Sequence, residues 1–248
     1  MDENSLLSLE KVTSLETIRN AFYINLEHRL DRKQHVEQEL SKIGIKAERF
    51  NAIKMENGAI GCSMSHLKIL QNSLKNKLDH VLIVEDDITF LDVETFRNNF
   101  NTFLQNRKSE SELGTSWDVI LLAGNNMPPY IRVDETSIQV KKCQTTTGYL
   151  VNGHYIQKLI ENVKMGLHNL IKYPKHHVIY AIDMFWHELQ KTDKWFLITP
   201  LTVIQKEDYS DIEKKITKYY KPMLDLDKVK MLQRIRDYNL NINLNNRL

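Results

Sequence analysis

The segment His80-Val81-Leu82-Ile83-Val84-Glu85-Asp86-Asp87-Ile88 constrains this chain more than any other. Four branched apolar residues in succession show no alternation, so they predict a strand buried on both faces, as inside a parallel sheet. Three carboxylates follow at its C-terminal end, where open α/β sheets place their ligands. Like charges on consecutive residues repel one another at a strand end unless a cation neutralises them. A divalent metal with oxygen ligands meets that need, and a phosphate-bearing substrate often completes its coordination. The competing reading is a solvated acidic turn that caps the next helix.

Around that strand the chain alternates. Ala21 to Leu26 predicts a strand, Asp31 to Ile43 a charged helix closed by Gly44, and Ala47 to Ile53 a second strand. Glu56-Asn57-Gly58 predicts a turn, and Leu67, Leu70, Leu74 and Leu78 recur at helical spacing over Ser63 to Leu78. A helix over Val93 to Asn106, a polar loop over Lys108 to Ser116 and a buried strand over Trp117 to Ala123 follow. Ser137 to Val140 and Gly148 to Val151 predict short strands, Tyr155 to Val163 and Ile179 to Gln190 helices, and Trp195 to Ile204 a strand broken by Pro200. The expectation is an α/β protein with a mostly parallel sheet flanked by helices. It would have a polar lead-in over 1–20, a main domain over 21–212 and a charged, helical C-terminal tail over 213–248.

Composition excludes more than it selects. In 248 residues, 34 Lys and Arg against 32 Asp and Glu leave a formal +2, which gives no long-range pull toward nucleic acid. The lysines and arginines of the tail are interleaved with Glu213, Asp225, Asp227 and Asp237, which predicts a solvated helix face. No apolar run approaches the roughly 20 residues that span a bilayer. Cys62 and Cys143 lie far apart with no Cys-x-x-Cys, which argues against a disulfide framework and for a reducing, cytoplasmic setting, the host cytoplasm if the source is viral. Leu226, Val229, Leu232 and Ile235 sit at helical spacing, so the tail is expected to pack on its own domain or on a second copy in a homodimer.

Three further constellations carry chemistry. Tyr23-Ile24-Asn25-Leu26-Glu27-His28-Arg29-Leu30-Asp31-Arg32 puts Asn25 at a strand end and Arg29 and Arg32 on the turn beyond, where forked donors suit a nucleotide's phosphates. Gly61-Cys62-Ser63-Met64-Ser65-His66 predicts close backbone approach at Gly61 and a helix N-terminus with Ser63 and Ser65 as an anion site. His66 there is a ligand contact or a structural residue. Asp183 is flanked by apolar and aromatic residues, which raises a carboxyl toward useful general-base values, although an acid in a first helical turn is also favoured by the helix dipole. Asp211, in Ser210-Asp211, is the weaker candidate because that pair is ordinary N-cap dress.

Taken in order, these motifs resemble glycosyltransferase family 25, the lipopolysaccharide-type and procollagen galactosyltransferases. The residues that carry the resemblance are Ile24-Asn25-Leu26, Ile60-Gly61-Cys62-Ser63-Met64-Ser65-His66, Glu85-Asp86-Asp87, Thr146-Thr147-Gly148-Tyr149, Asp183 and Ser210-Asp211. One departure is visible: the family's usual Gly-Glu-Ile-Gly-Cys is here Gly58-Ala59-Ile60-Gly61-Cys62, so a carboxylate expected near the donor pocket is missing.

The resemblance implies a GT-A-type nucleotide-sugar fold and metal-dependent, inverting transfer of galactose or glucose from a UDP-sugar to a glycan or hydroxylysine-type hydroxyl. On that footing Glu85 and Asp87 would hold Mn2+ or Mg2+, with Asp86 against ribose or sugar. Asn25, Leu26 and Arg29 would take the uridine end. Gly61, Ser65, His66, Thr147 and Gly148 would line the donor site, and Asp183, with Asp211 in reserve, would be the base. The rival family reading is a response-regulator receiver domain, since Asp118-Val119-Ile120-Leu121-Leu122 imitates a phosphoacceptor strand. It fails at Ala123, which has no carboxylate to phosphorylate.

Overall fold

A computed structural model describes residues 12–109, 117–210, 215–229 and 231–236. From the N-terminus the elements are β1 (Ala21–Asn25), α1 (Leu30–Lys42), β2 (Glu48–Asn51), α2 (Gly58–Lys75), β3 (His80–Glu85), β4 (Ile88–Phe90) and α3 (Val93–Ser109). The short strands β5 (Val119–Leu121), β6 (Asn125–Asn126), β7 (Ile131–Arg132), β8 (Ser137–Gln139) and β9 (Cys143–Gln144) lead into β10 (Gly148–Asn152) and α4 (Ile156–Lys172). Three one-turn helices follow, α5 (His177–Tyr180), α6 (Ile182–Phe185) and α7 (His187–Gln190). The chain then forms β11 (Trp195–Ile198), β12 (Val203–Gln205), β13 (Asp208–Ser210), β14 (Lys215–Thr217) and α8 (Tyr220–Leu224).

Eight strands make the central sheet in the order β2-β1-β3-β10-β5-β11-β8-β7. β1 pairs in parallel with β2 and β3, and β5 with β11, while β10 and β8 run against their neighbours. Six of the eight strands therefore share one direction. The sheet is mostly parallel, with helices on both faces.

The apolar run of β3 explains that layering. Leu82 and Val84 face a core that includes Val36 and Leu40 of α1 and Phe96, Phe100 and Phe103 of α3. Val81 and Ile83 face the opposite core, with Ile69 and Leu70 of α2 and Leu159, Ile160 and Val163 of α4. A strand covered on both sides cannot alternate, because every residue is inside. Among the described residues, no helix is long and apolar enough to cross a membrane.

Several sequence expectations need correction. α2 begins at Gly58, not Ser63, capped by Asn57, whose Oδ1 accepts from the Ala59 and Ile60 amides at 3.0 and 3.4 Å. The expected helix over Ile179 to Gln190 is broken at Ala181, which is extended (φ −57°, ψ 151°). The lead-in is not merely polar, since Val12, Leu15 and Ile18 join the core. The tail is not uniformly helical either. Among its described residues it begins with β14, which pairs back on β13 of the main domain, and helix follows in α8 and over 231–236. Met223 is buried and Leu226 packs on the core, whereas Val229, Leu232 and Ile235 stay exposed on this copy.

Candidate active site

Three strand ends converge on the acidic triplet. In the parallel β1–β3 register Ile24 lies opposite Glu85, so Asn25 emerges beside Asp86. β10 runs antiparallel to β3 with Gly148 opposite Val84, which brings the Thr145–Thr147 turn back to the same end. The Glu85 amide donates to the Thr147 carbonyl at 3.0 Å. Finally, β12 pairs with β4, placing Gln205 opposite Ile88, and the Lys206 amide donates to the Asp87 carbonyl at 2.7 Å.

The three acids point into two polar clusters. Glu85 Oε1 accepts from the Thr146 hydroxyl at 2.7 Å and lies 3.6 Å from Cys62 Sγ and 3.5 Å from His66 Nε2. His66 Nδ1 is fixed by the Tyr149 hydroxyl at 2.8 Å. Burial works to raise Glu85, but hydrogen bonds from His66 and Thr146 outweigh it and hold the carboxyl below its usual value. On the other side, Asp86 accepts from Asn25 Nδ2 at 2.8 Å and from Arg32 Nη1 at 2.9 Å. Asp87 Oδ2 accepts from Gln205 Nε2 at 2.9 Å and from the same Arg32 at 3.3 Å.

One oxygen is left over. Asp87 is 5% exposed, and its Oδ1 is buried without a hydrogen-bond partner. Burial, and after it the charge of Glu85, push this carboxyl up to about 7. Asp86 is raised too, by burial opposed by Arg32. A buried carboxylate oxygen with no donor suits a hard divalent cation, and among the described residues Glu85 also brings its carboxylate together with Cys62 and His66 as a second set of close ligand atoms. The residues present fit such an ion.

Asp183 closes the Glu85 side. Its Oδ2 accepts from the Thr145 amide at 3.1 Å, and burial raises its carboxyl, with the Glu85 charge adding to the effect. Beside the acids opens a cleft of about 370 Å3, lined by Ile24, Leu26, Arg32, Ile53, Met55, Cys62, Ser65 and the three acids, with Asp183 behind Glu85 and not on the lining itself. That is within the usual size range of small-ligand sites.

The remaining sequence candidates are placed unevenly. Leu26 and Ser65 line the cleft, although the Ser65 hydroxyl is already engaged by the Gly61 carbonyl and the Ile53 amide, each at 2.8 Å. Arg29 pairs with Asp31 at 2.9 Å and Asp208 at 3.1 Å. His66 and Thr147 are fully buried and support the rim from beneath, and Gly148 starts β10 under it. The anion site expected at a helix N-terminus near Ser63 and Ser65 is not there, because those residues lie within α2, past its first turn, and are buried. Asp211 lies outside the described residues.

Gly61 acts through packing: a Cβ there would sit 2.4 Å from the Ile53 carbonyl oxygen. Gly61→Ala must push α2 off the loop that walls the cleft. Thermal unfolding is expected to show a loss of about 2 kcal/mol, and an unchanged midpoint would contradict this packing role.

Sequence reasoning gave no role to Thr146 and Cys62 beside Glu85, although both stand in the quoted motifs, nor to Gln205 and Asp208 on the far side. Arg32, noted on the turn after Asn25, proves more central than Arg29. Its position three residues after Arg29 puts it one turn further along the same helix face, and that spacing was the available signal. Gln205 and Asp208 reach the site only through the β4–β12 pairing, which no local pattern announces.

Residues 54–186 match the family profile of glycosyltransferase family 25 (LPS biosynthesis protein). A glycosyltransferase 25 family member of Drosophila melanogaster is 25% identical over 190 residues, covering 64% of this chain and 29% of that protein. The procollagen lysyl hydroxylase and glycosyltransferase of Acanthamoeba polyphaga mimivirus is 20% identical over 246 residues, covering 79% of this chain and 26% of its own length. The chain thus spans under a third of either relative. Among solved structures, a Drosophila β-1,4-galactosyltransferase 7 mutant in complex with manganese, UDP-Gal and xylobiose aligns with a TM-score of 0.36 at 10% identity, over 81% of this chain and 71% of that one.

Proposed function

Since this chain belongs to glycosyltransferase family 25, we propose that it transfers a hexose, galactose or glucose, from a UDP-sugar to a hydroxyl of a glycan or hydroxylysine-type acceptor, with inversion. The observation that carries this reading is the unpartnered, buried Oδ1 of Asp87, a residue that lines the cleft together with Asp86 and Glu85. Mn2+ or Mg2+ held by Asp87 and Glu85, with Asp86 adjacent, would neutralise the charge that builds on the departing diphosphate.

The chain's own residues do the rest. Ile24 and Leu26 offer an apolar wall to the uracil ring, and Asn25 holds Asp86 in place by its 2.8 Å bond. Arg29 stands at the uridine end. Asp183 accepts the proton of the attacking hydroxyl, and its raised affinity for a proton, caused by burial, suits that task. The Thr145 amide fixes the orientation of that carboxylate. Both cysteines are free thiols, which accords with a reducing, cytoplasmic setting.

The test is a screen of UDP-galactose, UDP-glucose and related donors with Mn2+, reading UDP release and the anomeric configuration of the product by proton NMR. Release from a UDP-hexose that stops on chelation, with inverted product, is expected. Folded protein that releases UDP from no donor, or equally well in EDTA, would overturn the reading.

A further inference from the structure

The Asp86–Asp87 side of the cleft already contains a cation, and it belongs to the protein. Arg32 is 13% exposed in its side chain and spans Asp86 Oδ1 at 2.9 Å and Asp87 Oδ2 at 3.3 Å. It also reaches Asp208 Oδ2 at 3.4 Å and the Tyr209 carbonyl at 3.1 Å. Asp208 and Tyr209 lie on β13, outside the acid cluster, so one guanidinium is shared among an inner pair of carboxylates and an outer one. Arg29 Nη2 meets the same Asp208 oxygen at 3.1 Å.

We propose that Arg32 is a diphosphate-binding residue that neutralises Asp86 and Asp87 until the divalent cation and the donor arrive. This deepens the function proposed above and rests on it. A cation coming to Asp87 must compete for carboxylate oxygens that Arg32 now neutralises. Once displaced, the guanidinium stays within the cleft, with Asp208 on its outer side and the donor's diphosphate on its inner side. Its planar fork suits two phosphate oxygens as well as it suits two carboxylates. The exchange conserves charge: the acids trade an arginine for a metal ion, and the arginine trades acids for phosphates. Arg32 also sits in the first turn of α1, whose N-terminal dipole favours an anion there.

Other groups bear on the same balance. Asn25 and Gln205 bond to Asp86 and Asp87 as neutral donors, and Glu85 faces its own partners Thr146 and His66. Lys54 is the other cationic side chain on the cleft wall. Arg32 alone touches both inner carboxylates among the described ion pairs.

The experiment compares wild type with Arg32→Gln and Arg32→Lys at pH 8. Mn2+ affinity of the donor-free protein is read by electron paramagnetic resonance, and UDP and uridine affinities in saturating Mn2+ by calorimetry. Arg32→Gln removes the competitor and one phosphate ligand, so Mn2+ should bind about tenfold more tightly and UDP about tenfold more weakly, uridine unchanged. Arg32→Lys keeps the charge and so protects the fold if Gln does not. It reaches one carboxylate instead of two, and the same opposite shifts should appear at a few-fold. A merely structural arginine would weaken both ligands together, and that outcome, or an unchanged UDP affinity, overturns the assignment. Wild type that binds neither Mn2+ nor UDP would instead defeat the function proposed above.

Discussion

Asp87→Asn is expected to lower transfer at least ~10^3-fold, since it removes the charge that recruits the cation and with it several kcal/mol of leaving-group stabilisation. The same change should make the donor-free protein more stable. The folded chain binds the Asp87 proton more tightly than the unfolded chain does, because burial and Glu85 push the carboxyl from 3.8 to about 7. Stability contributed by that bound proton is therefore present at low pH and is lost as pH rises through this window. Above it the unbound protein carries a buried, imperfectly compensated charge at a cost on the order of 3 kcal/mol. Asparagine keeps an acceptor for Gln205 and Arg32 without that charge. Unfolding of the variant against pH should show a raised midpoint at pH 8 and a shallower decline between pH 4 and 8. Mn2+ should stabilise the wild type at pH 8 and leave the variant unmoved. A variant that is both less stable and still active would show that Asp87 is a structural ligand of Arg32 and nothing more.

The second large effect is at Asp183. Asp183→Asn should lower kcat by about 10^2- to 10^4-fold, the range a positioned general base contributes. UDP affinity should remain close to that of wild type, because the substitution preserves size and the Asn oxygen can still accept the Thr145 amide that now bonds Asp183 at 3.1 Å. The pH profile adds an independent sign. Burial raises the Asp183 carboxyl, so wild-type activity should climb as pH rises through its shifted value, and the variant's residual activity should lose that ascending limb. Loss of UDP binding in the variant would move Asp183 from proton acceptor to a structural support of the Thr145–Thr147 turn.

What could be read from the residues follows a physical division. β3 was legible because a strand with cores on both faces leaves a run of apolar residues, and its acidic end stood out because three like charges at the end of a buried strand need neutralising. Asn25 was legible as a strand end. The start of α2 was not. Gly58 and Gly61 disfavour helix, and Asn57 reads equally well as a turn residue or a cap. Close packing against the Ile53 carbonyl, which only glycine permits, overrode that propensity. The roles of Gln205 and Asp208 were hidden for a different reason. They depend on which strands become neighbours, and β10 enters antiparallel between β3 and β5 while β12 returns to β4. Periodicity reports burial along one element and is silent on who lies beside it.

The same division accounts for the helix-terminus anion site that failed to appear. Ser63 and Ser65 looked like capping residues because they precede an apolar stripe, yet they lie inside a longer helix, where Ser65 bonds back to Gly61. Polarity at the acidic side of the cleft comes instead from the strand-end carboxylates, Gln205 and the Arg32 side chain of α1.

The most direct measurement is a calorimetric titration of UDP into the folded protein at pH 8, with and without Mn2+, run beside Asp87→Asn. Saturable, one-to-one heat that requires Mn2+ and vanishes in the variant is the expected result. Wild-type protein that gives no heat with both ligands present, or a variant that binds UDP with Mn2+ as the wild type does, would contradict the claim that the acid-ended strand grips a donor diphosphate through a cation.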